Sequence, residues 1–316
     1  QTCALPISSQ VKIDFKFRQF EKELFSKSVV TADDVHGFQK DYGDFFRIFT
    51  TRIIRMPGTS DSAIAMGLNY FKNDTDIKVV YADVKKQYDD LTWLHQDFED
   101  AFRNYKYYFP KKPVPQVVTY ISAFNYKNIR LDSILGISLE FYLGADCIYY
   151  PSLNFPQYLT KHFTKDYIVT DCIQSLYQTD YEQNPTQSDL LSQMIYFGKM
   201  YYFSKQLTPD IDDTIRTGYT KKQMDWVIKN ESKVWTVIIE NKLLFSTDFS
   251  QYNKFIAEGN TTSGFPADAP AAIGKWIGYQ IVKKYMNEHS EVSLDMLLNE
   301  KDSQKIFSES KYKPGK

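Results

Sequence analysis

The sequence is poor in the residues from which most recognisable chemistry is built. It holds three Cys (Cys3, Cys147, Cys172) and four His (His36, His95, His162, His289) in 316 residues. Three thiols make no disulfide framework, and no CxxC occurs. One Cys147–Cys172 bridge fits an oxidising compartment, but two free buried thiols are the expectation, and Cys172 has no nearby helix-start cation or base to activate it. The His residues are scattered, with no HExxH and no HxH to hold zinc. The patterns GxSxG, GxxxxGK(S/T) and GxGxxG are missing as well, which removes the serine-hydrolase, phosphate-loop and dinucleotide readings. Charge of one sign is also lacking. Lys+Arg is 38 against Asp+Glu 39, a net charge of −1, so nothing draws the chain to nucleic acid. No apolar run approaches the roughly 20 residues of a membrane-spanning helix. These absences point away from an enzyme: no catalytic residue, no metal site and no cofactor is assigned.

What is present is apolar and aromatic. The chain is 43% hydrophobic with 24 Tyr and 23 Phe, enough for a large core and for broad half-buried faces. The strongest element is Ser188–Leu207, SDLLSQMIYFGKMYYFSKQL, with apolar residues at helical spacing on so wide a face that it must be covered on several sides. A central helix is expected there, started at Ser188-Asp189 and stopped near Thr208-Pro209.

Gln1–Gln10 belongs to no periodic pattern and reads as a leader remnant or a non-native scar, with Cys3 as a doubtful lipid-attachment residue. Val11–Phe20 alternates apolar and polar, as a half-buried strand does. A helix is expected from Asp33-Asp34 through Phe49, ending before Met56-Pro57-Gly58. Ala63–Phe109 reads as a helical hairpin or one bent helix, with His95 as a surface or packing residue. Two strand-like runs follow, Val117–Phe124 and Ile134–Leu143, joined as a hairpin through Asn125–Asp132. Pro156–Tyr177 reads as helical. Thr220-x-x-Gln223 is a capping box that opens a helix with the stripe Met224, Val227, Ile228, Trp235, Ile238, Ile239 and Leu243. Ala271–Met286 is a helix whose Ala271, Gly274 and Gly278 edge lets another backbone approach closely. Val292–Ile306 is a last short helix, and SKYKPGK is expected as an exposed tail. The class is α+β, mainly helical with a small antiparallel or mixed sheet. The parts are a helical one to about 110, a sheet at about 114–144 and a helical C-terminal one, read as a single domain over 11–316.

Two carboxylates stand out in this pattern. Glu140 lies inside a buried-looking strand, either as a strand-end residue paired with a cation or as a cleft residue. Glu231 falls on the apolar stripe between Ile228 and Trp235, either bound to a Lys, Arg or backbone donor or tuned as an acid.

Several blocks come in a fixed order: VKIDFKFRQFEKELF (Val11–Phe25), YISAFNY (Tyr120–Tyr126), LGISLEFYLG (Leu135–Gly144), MIYFGKMYYF (Met194–Phe203), YTKKQMDWVIKNESKVW (Tyr219–Trp235), LLFSTD (Leu243–Asp248), IGKWIGYQIVKKYM (Ile273–Met286) and SKYKP (Ser310–Pro314). Together they resemble the gliding motility-associated lipoprotein GldB family. The resemblance implies a lipid-anchored, periplasm-facing protein of the cell envelope. Its partners would be other envelope proteins of the gliding and linked secretion machinery, with no nucleic acid. It also implies a zincin-like, degenerate metallopeptidase architecture. The ligand-bearing segments would then fall at Tyr167–Tyr177, around IVTDCIQSL, and at Ile195–Lys199, IYFGK. Their ligand positions read Asp171, Ser175 and Phe197, a poor zinc set. The expectation is a non-catalytic protein that acts by contact. The alternative is a zinc-independent or cryptic hydrolase, or a ligand-binding protein, that keeps a peptidase-like cleft with Glu140, Asp171 and Glu231 as its polar residues.

Overall fold

The computed structural model describes residues 11–183 and 189–314. The expectations for Gln1–Gln10 with Cys3, for Ser188 as a helix start, and for the last two residues lie outside them. The described chain forms two compact units. One holds residues up to 155 together with 160–175, the other 156–159 and 176 onward. The class is α+β, mainly helical with one small mixed sheet.

In the first unit, residues 11–16 alternate half-buried and exposed as a strand face would, but only β1 (Phe17–Gln19) is paired. The expected ten-residue strand is cut short because Phe20 turns into α1 (Phe20–Ser26) and seats its ring among others. Tyr42, Phe45 and Phe49 lie 5.0, 5.3 and 4.9 Å from it, all edge-on. Helix α2 (Ala32–Tyr42) opens on a capping box of Thr31 and Asp34. The long helix expected from Asp33 to Phe49 breaks at Gly43, whose φ of 51° favours glycine. Beyond it lie α3 (Asp44–Ile48) and a π-helical turn, Phe49–Ile53. The expected hairpin or bent helix over 63–109 is three helices, α4 (Asp61–Asn73), α5 (Thr75–Tyr88) and α6 (Thr92–Tyr108). Asp74 makes the first break, since its carboxylate accepts the amides of Asp76 and Ile77 and so caps α5. His95 on α6 stacks on Phe15 at 4.9 Å, a packing role.

The sheet corrects a second expectation. Strands β2 (Gln116–Tyr120), β3 (Asn128–Leu131) and β4 (Ile134–Ser138) join β1 in the order β1-β2-β4-β3. β1 and β4 both run parallel to β2, and only β3 is antiparallel to its neighbour. The two strand-like runs are therefore not a hairpin. The hairpin is β3–β4, and residues 121–127 arch over the C-terminal end of β4 to carry the chain to the sheet edge. β4 stops at Ser138, and Leu139–Tyr142 coil into a 3-10 turn rather than extending the strand to Leu143. α7 (Tyr149–Ser152) and α8 (Gln157–Thr160) are single turns. With α9 (Ile168–Asp180), α8 replaces the single helix expected over Pro156–Tyr177. Cys147 and Cys172 are both free.

The second unit is helical: α10 (Leu190–Leu207), α11 (Asp213–Thr217), α12 (Lys221–Glu240), α13 (Phe249–Tyr252), α14 (Ile273–Glu288), α15 (Leu294–Asn299) and α16 (Ser303–Ser310). α10 is the expected central helix, capped by Asp189 and buried on most of its surface. It crosses α14 at backbone contact. A Cβ on Gly198 would stand 2.4 Å from the Gly278 carbonyl, and one on Gly278 would stand 1.8 Å from the Met194 oxygen. The small edge foreseen on α14 thus meets a glycine of α10. Arg216 on α11 is fully buried. It donates to Asp213 at 3.0 Å, Ser204 Oγ at 2.8 Å and the Ile211 carbonyl at 2.8 Å. α12 opens on the foreseen Thr220–Gln223 box, but its buried stripe is Met224, Val227, Val234 and Ile238; Ile228 and Ile239 face solvent. The exposed-tail expectation also fails, because Ser310 and Tyr312 are buried. Tyr312 spends its hydroxyl on Glu231 and packs its ring on Trp235.

Candidate functional site

Each carboxylate singled out from the sequence has its own partners. Glu140 is fully buried in the 3-10 turn just past β4. Its Oε1 accepts the amides of Ser122 (2.7 Å) and Phe124 (3.1 Å) and the Ser122 hydroxyl (2.9 Å), and its Oε2 accepts the Ser138 hydroxyl at 2.6 Å. Hydroxyls and amides, rather than a cation, therefore surround it. Burial still pushes its carboxyl above the ordinary range, against those donors. Asp171 on α9 accepts from Lys127 Nζ at 2.9 Å and the Tyr142 hydroxyl at 3.0 Å. Glu231, in the second unit, accepts from Tyr312 at 2.8 Å and Trp276 Nε1 at 3.4 Å. None of the three lines the large cavity described below. Among the described residues, no group of three or more His, Cys, Asp or Glu side chains is placed to hold a metal ion.

Glu21 carries a stronger perturbation that sequence reading missed. It follows β1 in the first turn of α1 and is buried, with the Thr119 hydroxyl 2.7 Å from Oε2. Loss of water lifts its carboxyl to about 7, and the Thr119 bond pulls it back only in part. Glu21 lies just past the alternating run Val11–Phe20, at the start of a short amphipathic piece, so nothing in the pattern marks it as an interior residue.

The arch over β4 ties this buried chemistry to the surface. Ala123 and Phe124 both have left-handed backbone, φ 56° and 59°, although neither is glycine. Such residues cost about 1–2 kcal/mol each and persist only where their surroundings fix them. Glu140 does the fixing, by holding the amides on either side of Ala123. The result turns Ala123 and Phe124 into one wall of a cavity of about 1010 Å³. Its other walls are Ile54, Met56 and Pro57, the outer face of α4, the start of α5 and the α7 turn with Leu153. The lining is mostly apolar, and much of it is open to water: Tyr70 is 80% exposed, Met66 70%, Val79 50% and Leu153 43%. Single exposed apolar residues are ordinary, but a contiguous set around a groove marks a binding surface. Asp74 and Asp76 are the charged residues of the lining.

The family model for the gliding motility protein GldB matches residues 4–314, nearly the whole chain. The chain belongs to the GldB family. No curated protein and no solved structure matches it. GldB membership makes this a gliding-motility-associated protein, and the family's lipoprotein label points to a lipid-anchored envelope protein. Among the described residues no helix is long and apolar enough to cross a membrane, which is compatible with attachment through a lipid. The groove residues leave a trace in the sequence. Met66 and Tyr70 stand four apart on α4, off the buried Ile64–Leu68 stripe, and Val79 stands off the Ile77–Val80–Val84 stripe of α5. A second apolar stripe on a helix has to be covered by something.

Proposed function

We propose that this GldB-family protein works in the gliding apparatus and its linked secretion machinery as a non-catalytic, periplasm-facing component, by binding another envelope protein in the α4–α5 groove. The observation that carries this is the groove itself: a preformed apolar cavity whose rim residues Met66, Tyr70, Val79 and Leu153 stand exposed. The carboxylates support the same reading, since Glu140, Asp171 and Glu231 accept bonds from neighbours that build the fold. The test is complementation of a gliding host that lacks its own copy. A Met66→Glu/Tyr70→Glu variant that accumulates to the normal level is expected to abolish surface spreading. Full spreading with that variant overturns the proposal.

One observation favours a second reading, a ligand-binding or hydrolytic protein. Ala123 and Phe124 lie at the C-terminal end of a parallel strand, where ligands of open α/β sheets collect. Peptide cleavage by the purified protein that persists in the presence of a chelator would favour this reading over the first.

A further inference from the structure

The contact reading leaves open what kind of partner segment the groove takes, and the inference here rests on that reading. We infer that the occupant is an amphipathic helix whose large apolar side chains enter the groove and whose Lys or Arg side chains meet Asp74 and Asp76.

Charge carries the choice. The cavity lining contains two carboxylates, Asp74 and Asp76, and no Lys or Arg. A free fatty acid or an anionic headgroup would bring its own negative charge beside them with no cation to meet it. A basic residue flanking an apolar face is complementary instead. Shape and chemistry agree with a protein segment. α4 and α5 form adjoining walls joined at Asp74, the arrangement into which a helix lays i, i+3, i+4 and i+7 anchors. Met56 and Met66 line it with unbranched thioether side chains, which adapt to anchors of differing shape. The opposite wall is rigid. Phe124 is held in its left-handed turn through the Glu140 bonds, and its ring packs on Phe141 and Tyr149 at 5.6 and 5.8 Å. Tyr149 is fixed in turn by its hydroxyl bond to Asp83 at 2.5 Å. A pliable wall facing a fixed one suits a partner recognised by apolar volume and by the sign of its flanking charge.

The experiment uses the full chain and two dye-labelled helical peptides with one shared Leu/Phe face, flanked by lysines in one and glutamates in the other. Fluorescence anisotropy gives their affinities, with a dye-labelled fatty acid as the third probe. The lysine peptide is expected to bind about tenfold more tightly than its glutamate twin. Asp74→Asn/Asp76→Asn should erase that preference, and the Asn at position 74 still caps α5. Tyr70→Glu, on an exposed position, should release both peptides. Equal binding of the two peptides, or a preference that survives the double Asn variant, overturns the basic-helix inference. The groove-contact reading then stands if Tyr70→Glu still releases the peptides, and falls if it does not. Binding of the fatty acid alone, lost in Tyr70→Glu, overturns both in favour of a lipid site.

Discussion

Replacing Glu21 by Gln should change how the stability of this protein depends on pH. Glu21 sits in the first turn of α1 with its Oε2 against the Thr119 hydroxyl, and burial lifts its carboxyl from 4.5 to about 7. Between those values the folded chain keeps a proton that the unfolded chain has released. The native state then binds more protons, so stability falls as pH rises from about 4.5 to about 7 and levels off above. The gap of about 2.5 pH units, at about 1.4 kcal/mol each, makes the loss about 3 kcal/mol. Gln has the shape of the protonated acid, its carbonyl can still accept from Thr119, and it does not titrate. Urea unfolding followed by fluorescence of the four Trp, at pH 5 and pH 8, gives both stabilities. Wild type is expected to lose about 2.5 kcal/mol more than Glu21→Gln over that interval, the rest of the loss lying below pH 5. Parallel pH curves for the two proteins would refute the claim that Glu21 is buried without a compensating cation.

Other substitutions test the packing directly. Gly278→Ala drives a methyl into the Met194 carbonyl, which no rotamer can relieve, and should cost about 3 kcal/mol or more in urea unfolding. Glu140→Ala strands the amides of Ser122 and Phe124 and the Ser138 hydroxyl; a loss of about 3 kcal/mol is expected, along with quenching changes in any probe placed at Phe124. Tyr312→Phe removes one bond to Glu231 and should cost about 1 kcal/mol by thermal melting, whereas no change would mean that Tyr312 is not anchored there.

The parts of this fold that a sequence shows are those where one stretch decides its own conformation. The box at Thr220–Gln223 and the all-round apolarity of α10 are local, and both elements lie where the pattern puts them. The Gly278 edge was legible because an edge of small residues has one physical use. Long-range pairing was not legible. Strands β2 and β4 are adjacent apolar runs, and a hairpin is the simplest way to join them. Their parallel pairing depends on β3 inserting at the edge, and Asn128–Leu131 gives little sign of that. The left-handed Ala123 and Phe124 carry no glycine to announce them, since the Glu140 bonds rather than local preference hold that conformation. The site was missed for a related reason. Carboxylates within apolar runs are conspicuous in the pattern but hold the fold, while the groove is written as surplus apolar residues on α4 and α5.

The central claim is that the α4–α5 groove is where this protein meets its partner. The most direct measurement is photo-crosslinking in gliding cells, with benzoyl-phenylalanine placed at Tyr70 in one strain and at Tyr107 in another. Both side chains are exposed, at 80% and 44%, and only Tyr70 lines the groove. The account predicts a discrete covalent adduct with another envelope protein at Tyr70, weakened by Met66→Glu, and none at Tyr107. No adduct at Tyr70, or the same adduct at both positions, would contradict it.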